Sequence, residues 1–220
     1  MTNAIFPAAL TQGYQNFMAG RFKSESSRYR ALGEDGQRPE VMIIGCCDSR
    51  VSPEVIFDAG PGELFIVRNV ANLVPPYEPD SDSYHGTSAA IEFGVIGLNV
   101  KHIVVLGHAS CGGVRSVYEG ASPLGEGDFI GKWMSQLVPA AERVRQAGGS
   151  PASQIRALEF AAVEQSLNNL KSFPYIAERL ARGEIALHGS YFGVAAGLLY
   201  LRDPQDGAFA PCPVDPSLLD

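Results

Sequence analysis

Short, wholly apolar runs alternate with helical patterns along this chain, and that alternation constrains the fold more than any other feature of the sequence. Val41 to Gly45 is entered through Gln37-Arg38-Pro39, Leu64 to Val67 follows the turn Gly60-Pro61-Gly62, and His102 to Leu106 is closed by Gly107. Ile185 to Leu187, continuing to Phe192, is a fourth run. Runs this short and apolar, bounded by turn residues, predict buried strands. Between them, Ser52-Pro53-Glu54 reads as an N-cap with Pro in the first helical position. Thr87 to Leu98 carries Ile91, Val95 and Leu98 on one stripe, a third helix starts near Cys111, and Ser153 to Leu170 has Ile155, Leu158, Ala162 and Leu170 at helical spacing. Gly94 and Gly97 would destabilise their helix unless another backbone packs close there. Strands alternating with helices specify an α/β fold: a central, mostly parallel sheet of about four parallel strands plus a C-terminal edge strand, flanked by helices.

A chain of 220 residues is long enough for one sizeable core and short for two, so residues 1–220 are expected to form a single domain. Two ends fall outside the alternation. Residues 1–35 form an expected helical arm, whose Leu10, Tyr14, Phe17, Met18 and Phe22 need an apolar surface to cover. Residues 203–220 are a tail in which Pro204, Pro211, Pro213 and Pro216 cannot continue a helix or a central strand. The net charge of −7, with no undiluted basic cluster, argues against nucleic acid as a partner. Met1 to Leu10 has no secretory leader pattern, and no apolar run approaches the roughly 20 residues that span a bilayer. The expected compartment is therefore the cytoplasm, with no membrane partner. In a reducing compartment four cysteines, two of them adjacent as Cys46 and Cys47, point to metal or thiol chemistry rather than to disulfides.

Ligands of parallel sheets collect at the carboxyl ends of the strands, and the reactive residue types cluster there. Cys46 closes the first strand, His108 follows the third, and Cys111 comes three residues later at a helix start, where the positive end of the helix favours thiolate. Two thiolates and an imidazole suit tetrahedral zinc, and three protein ligands leave a fourth position open for water, the catalytic rather than the structural arrangement. Asp48, two residues after Cys46, falls in the loop leaving the strand, where Arg50 can fork onto its carboxylate and hold it ionised. An aspartate so fixed can accept a hydrogen bond from the activated water.

These residues match a pattern. Cys46-x-Asp48-x-Arg50 followed by His108-x-x-Cys111-Gly112-Gly113 resembles the β-class carbonic anhydrases, with further likeness in Gly62-Glu63-Leu64-Phe65, Arg68-Asn69-Val70-Ala71-Asn72 and His85-Gly86-Thr87-Ser88-Ala89. The resemblance runs from about Gln37 to Tyr200 and is closest to the plant-type branch. It implies a zinc lyase interconverting carbon dioxide and bicarbonate, with one zinc per subunit on Cys46, His108 and Cys111 and the Asp48–Arg50 dyad beside it. It also implies a substrate pocket that includes Gln37, Phe65, Val70, Phe93 and Gly112, and a homodimer, or a larger assembly such as a dimer of dimers, over whose partner subunit the arm wraps. Phe93 stands where plant-type relatives have a tyrosine. One branch of the class traps bicarbonate with a Trp three residues before the first Cys and an Arg twenty-two after it; here Arg68 is present but the Trp position is Ile43, so no cooperative bicarbonate inhibition is expected.

Hydrolysis of carbonyl sulfide or carbon disulfide on the same scaffold, and a zinc-stabilised binding module without turnover, are the competing readings. Outside the site, Cys47 is expected to leave the strand on the face opposite Cys46, Cys212 to be a free thiol, and His85 and His188 to be structural. His102 is expected to be solvated, and Trp133 to form a core stripe with Phe129, Ile130 and Leu137.

Overall fold

The computed structural model describes residues 6–79, 84–120, 124–215 and 217. Residues 1–5 of the expected arm, and Pro216 of the tail, lie outside the described residues. Two compact units are resolved by their internal contacts, Met1–Arg38 and Pro39–Asp220.

The first unit is a pair of helices, α1 (Ala8–Ala19) and α2 (Arg21–Asp35), broken at Gly20. Neither buries a residue. Phe17, Phe22 and Tyr29 cluster at the corner, Phe17 and Tyr29 edge to face and the other two pairs tilted, while Phe6 just before α1, and Leu10 and Tyr14 within it, spaced four apart, are 68%, 59% and 62% exposed.

In the second unit the chain runs β1 (Val41–Cys46), α3 (Pro53–Ile56), β2 (Leu64–Asn69), α4 (Gly86–Glu92), β3 (His102–His108), α5 (Gly112–Glu119), α6 (Phe129–Met134), α7 (Val138–Gln146), α8 (Pro151–Leu170), α9 (Pro174–Ala181), β4 (Ala186–Gly193), β5 (Leu198–Arg202) and β6 (Phe209–Pro211). The strands form one sheet in the order β2-β1-β3-β4-β5-β6, the first four parallel and the last two antiparallel. The α/β expectation holds, with one antiparallel strand more than expected. Gly197, at φ +65°, turns β4 back into β5, and the tail supplies β6 as an edge, where Pro211 can end a strand without breaking an inner ladder.

One face of the sheet buries Met42, Ile44, Ile103 and Val105 against α8 and α9 through Val163, Leu167, Leu170 and Ile176. Each such aliphatic side chain, fully buried, contributes roughly 1.5–3 kcal/mol. Close approach requires Gly107: a Cβ there would lie 2.6 Å from Val163 Cγ2. A second apolar cluster, with Val51, Leu73, Val114, Met134, Leu137 and Leu158, encloses Cys46 and Cys111 at the carboxyl ends of the strands.

Several local expectations are corrected by packing. The helix predicted from Thr87 to Leu98 is α4 followed by a π-turn over Phe93–Gly97, and what crowds Gly94 is the Met42 sulfur and the Phe65 ring rather than a backbone. Ser52 occupies the cap position of α3, yet its hydroxyl donates to Glu54 Oε2 at 2.8 Å. Leu137 is buried, but Phe129 is 87% exposed, and Trp133 spends its indole N–H on the Val70 carbonyl at 2.8 Å. His102, by contrast, is exposed as expected, and its Nδ1 stands 3.1 Å from Nε2 of His188 on the neighbouring strand.

Candidate active site

Because β1 lies between β2 and β3, the carboxyl ends of all three open onto one place. Cys46 is the last residue of β1, His108 the last of β3, and Cys111 caps α5, so three strand-and-helix ends deliver three donors. Their ligand atoms lie within 4.8 Å of one another, all buried, the only such group of three or more His, Cys, Asp or Glu donors among the described residues.

The donor set fits a tetrahedral thiophilic metal. Cys46 Sγ and Cys111 Sγ are 4.0 Å apart, about twice the length of a disulfide bond and close to the ~3.8 Å that two 2.3 Å Zn–S bonds subtend at a tetrahedral angle. His108 Nδ1 is 2.9 Å from the Ala109 carbonyl, which can only accept, so the proton sits on Nδ1 and the lone pair on Nε2. That Nε2 is buried with no hydrogen-bond partner, an orphan that costs free energy unless a cation takes its lone pair. The Cys111 hydrogen bond holds the Cys46 thiol below its ordinary range, and the same contact pushes Cys111 up. Two buried sulfurs 4.0 Å apart beside an imidazole nitrogen are a donor set that a divalent cation completes.

Beside this group, Asp48 is held by its neighbour. Arg50 donates from its backbone N–H and Nε to Asp48 Oδ1 at 3.0 and 2.9 Å, and from Nη2 to Oδ2 at 2.7 Å. These hydrogen bonds hold the carboxyl well below the usual carboxylate range, against the opposing effect of its burial. Asp48 Oδ2 also stands 4.0 Å from His108 Nε2, so the carboxylate faces the ligand group without belonging to it. Arg50 reaches on to the Ser110 carbonyl at 3.1 Å; Ser110, at φ +59°, is a non-glycine residue in the left-handed region, between the two ligands His108 and Cys111.

Of the remaining residues singled out in the sequence, Val70 and Gly112 are at these strand ends. Val70 follows β2 and packs where a Cβ on Gly113 would come within 2.9 Å of its Cγ1, which is why the first turn of α5 needs a glycine. It also lines a cavity of about 860 Å³ together with Cys47, Asn69, Thr87 and Trp133. Phe65 and Phe93 are brought together elsewhere, ring centroids 5.8 Å apart. Phe65 pairs in register with Met42, four residues before Cys46, which puts it roughly 13 Å back along the strand from the ligand group. Gln37 is exposed and belongs to the first unit. Cys47 is exposed, unlike Cys46, and all four cysteines are free thiols.

One supporting residue, Glu159, escapes the sequence reading, and a second, Arg68, makes contacts that the sequence does not show. Glu159, 4% exposed, accepts the Cys111 backbone N–H at 3.1 Å and the Tyr191 hydroxyl at 2.6 Å. Its position, four after Ile155 on the buried stripe of α8, was the available signal, since a carboxylate on an apolar stripe needs a polar partner. Arg68, named in the sequence only as the arginine of a bicarbonate trap whose Trp is missing, donates to carbonyls of its own chain.

Comparison with known proteins agrees with this geometry. The family described as carbonic anhydrase matches residues 41–199. Beta carbonic anhydrase 3 of Arabidopsis thaliana is 34% identical over 193 residues, covering 86% of this chain and 73% of the relative. Beta carbonic anhydrase 5, chloroplastic, of the same plant is also 34% identical, over 83% of this chain but only 60% of its own length. Among solved structures, that of the beta-carbonic anhydrase CcaA matches with a TM-score of 0.86 at 28% identity, covering 94% of this chain and 92% of that one. A structure from a study of two tetrameric beta-carbonic anhydrases of the filamentous ascomycete Sordaria macrospora gives 0.74 at 28% identity, covering 92% and 98%.

Proposed function

Since the chain belongs to the β-class carbonic anhydrases, a family of enzymes, we propose that it catalyses the reversible hydration of carbon dioxide to bicarbonate and a proton, with zinc on Cys46, His108 and Cys111. The observation that carries this reading is the buried Cys-His-Cys group with an orphaned imidazole nitrogen and an oriented carboxylate beside it. Zinc bound there would supply a Lewis acid that makes hydroxide available near neutral pH, by lowering the pKa of water to about 7.

The chain's own groups then do the positioning. Ala109 keeps the proton of His108 on Nδ1 and so leaves Nε2 free to ligate. Asp48, ionised and able only to accept, takes a hydrogen bond from the attacking oxygen, whose lone pair is thereby left aimed at the carbon. Arg50 fixes both carboxylate oxygens, so that orientation is set before substrate arrives.

Carbonyl sulfide presents a similar linear electrophile, and competition between the two substrates decides between the readings. A larger specificity constant for carbon dioxide is expected; a larger one for carbonyl sulfide would overturn the substrate assignment.

We further infer a homo-oligomer, a dimer or a dimer of dimers. Phe65 and Phe93 stand away from the ligand group within one chain, and the exposed stripe Phe6-Leu10-Tyr14 is an apolar surface that a second copy would cover. Light scattering should give a multiple of the single-chain mass; the single-chain mass would contradict the inference. Among the described residues no helix is long and apolar enough to cross a membrane. Four free thiols support the cytoplasm as the proposed compartment.

A further inference from the structure

We propose that Arg68 is a positioning residue of the metal site, a guanidinium strap that holds the backbone between Cys46 and Asp48 in place. The inference rests on the zinc reading above and adds a residue to it that touches neither metal ligand atoms nor substrate.

The need for a strap follows from how β1 leaves the sheet. Its ladder with β2 ends at the pair Cys46 and Asn69, and one further bond, Cys47 N–H to the Asn69 carbonyl at 2.8 Å, carries the pairing a single residue beyond. From there the chain turns away carrying the carboxylate. Arg68, one residue before the end of β2, spans this departure: Nε donates to the Cys46 carbonyl at 2.9 Å and Nη2 to the Asp48 carbonyl at 2.7 Å. The guanidinium is planar and its donors are fixed in a fork, so holding two carbonyls at once fixes the relative orientation of two peptide groups. Both hydrogen bonds are charge-assisted and partly buried, which strengthens them.

The two peptides so held are those of a metal ligand and of the oriented carboxylate. Arg50 holds the Asp48 side chain and ties it to Ser110, while Arg68 holds the Asp48 backbone and ties it to β2. One arginine alone would leave the other end of the residue to drift. A displacement of about 1 Å in a catalytic group can lower a rate by on the order of 10²-fold, so a partial loosening is expected to matter.

The test uses the full-length chain, loaded with zinc or with cobalt(II), as wild type, Arg68→Met and Arg68→Lys. Arg68→Met keeps the stem and removes both hydrogen bonds, whereas Lys can satisfy one carbonyl. Arg68→Met should still bind one metal per chain, shift the visible absorption bands of cobalt, and release metal to a chelator about tenfold faster. Its kcat should fall by roughly tenfold or more with KM within about twofold, and Arg68→Lys should lie between it and wild type. Cobalt bands, release rate and kcat all within about twofold of wild type, with only the melting temperature lowered, would make Arg68 a structural residue and overturn the strap. If Arg68→Met does not fold, the same comparison is made on Arg68→Lys. A wild-type chain that takes up neither metal overturns the zinc reading itself, and the strap with it.

Discussion

Asp48→Asn should retain a full complement of zinc and lose carbon dioxide hydration by on the order of 10²-fold or more, with little change in KM. Metal is retained because Asp48 is not among the three clustered donors: its nearest oxygen is 4.0 Å from His108 Nε2. Activity is lost because the amide cannot reproduce the acceptor pattern. Three hydrogen bonds from Arg50 demand acceptors on both Oδ1 and Oδ2. An amide nitrogen at either position opposes an Arg50 donor, and at the Oδ2 position, which faces the ligand group, it also presents hydrogens to the attacking oxygen instead of accepting one. Wild-type turnover in this variant would reduce Asp48 and Arg50 to a surface ion pair, consistent with the partial exposure of Arg50 but without a role in the reaction.

Replacing Cys46, His108 or Cys111 by Ala should each remove most bound zinc and, with it, most hydration activity. In His108→Ala the two sulfurs remain 4.0 Å apart with no third donor, and the orphaned Nε2 is gone. Either cysteine replacement leaves one sulfur and the imidazole, with a cavity in the second apolar cluster where Cys46 and Cys111 are packed. Stability should follow metal content: free zinc at one hundred times its dissociation constant stabilises the native state by about 2.7 kcal/mol, and variants without the site lack that term. Full zinc occupancy, measured by elemental analysis in any of the three, would remove that residue from the ligand set.

The parts of this molecule legible in its sequence are those governed by local pattern. Val41 to Gly45 and His102 to Leu106 read as strands because a strand buried on both faces has no polar alternation, and both belong to inner strands of the sheet. The Cys-His-Cys group was legible because a parallel sheet brings the carboxyl ends of its strands together whatever the details of packing. What escaped depends on contacts between distant segments. The edge strand Phe209–Pro211 is hidden in a Pro-rich tail and exists only because β5 offers it a partner. Glu159 gains its role from Tyr191 and the Cys111 amide, 32 and 48 residues away. Phe129 and Trp133 share a helix face, yet one is exposed and the other donates to Val70, a difference set by the neighbouring segment and not by spacing. Arg68 had no signal at all in the sequence that would show its donors turned inward onto Cys46 and Asp48.

The most direct test of the zinc-hydration account is stopped-flow hydration of carbon dioxide with elemental metal analysis on one preparation, before chelation, after chelation, and after zinc is restored. About one zinc per chain, loss of hydration on its removal and recovery on its return are expected. Hydration that persists in the metal-free chain, or a fully zinc-loaded chain that does not hydrate carbon dioxide, would contradict the account.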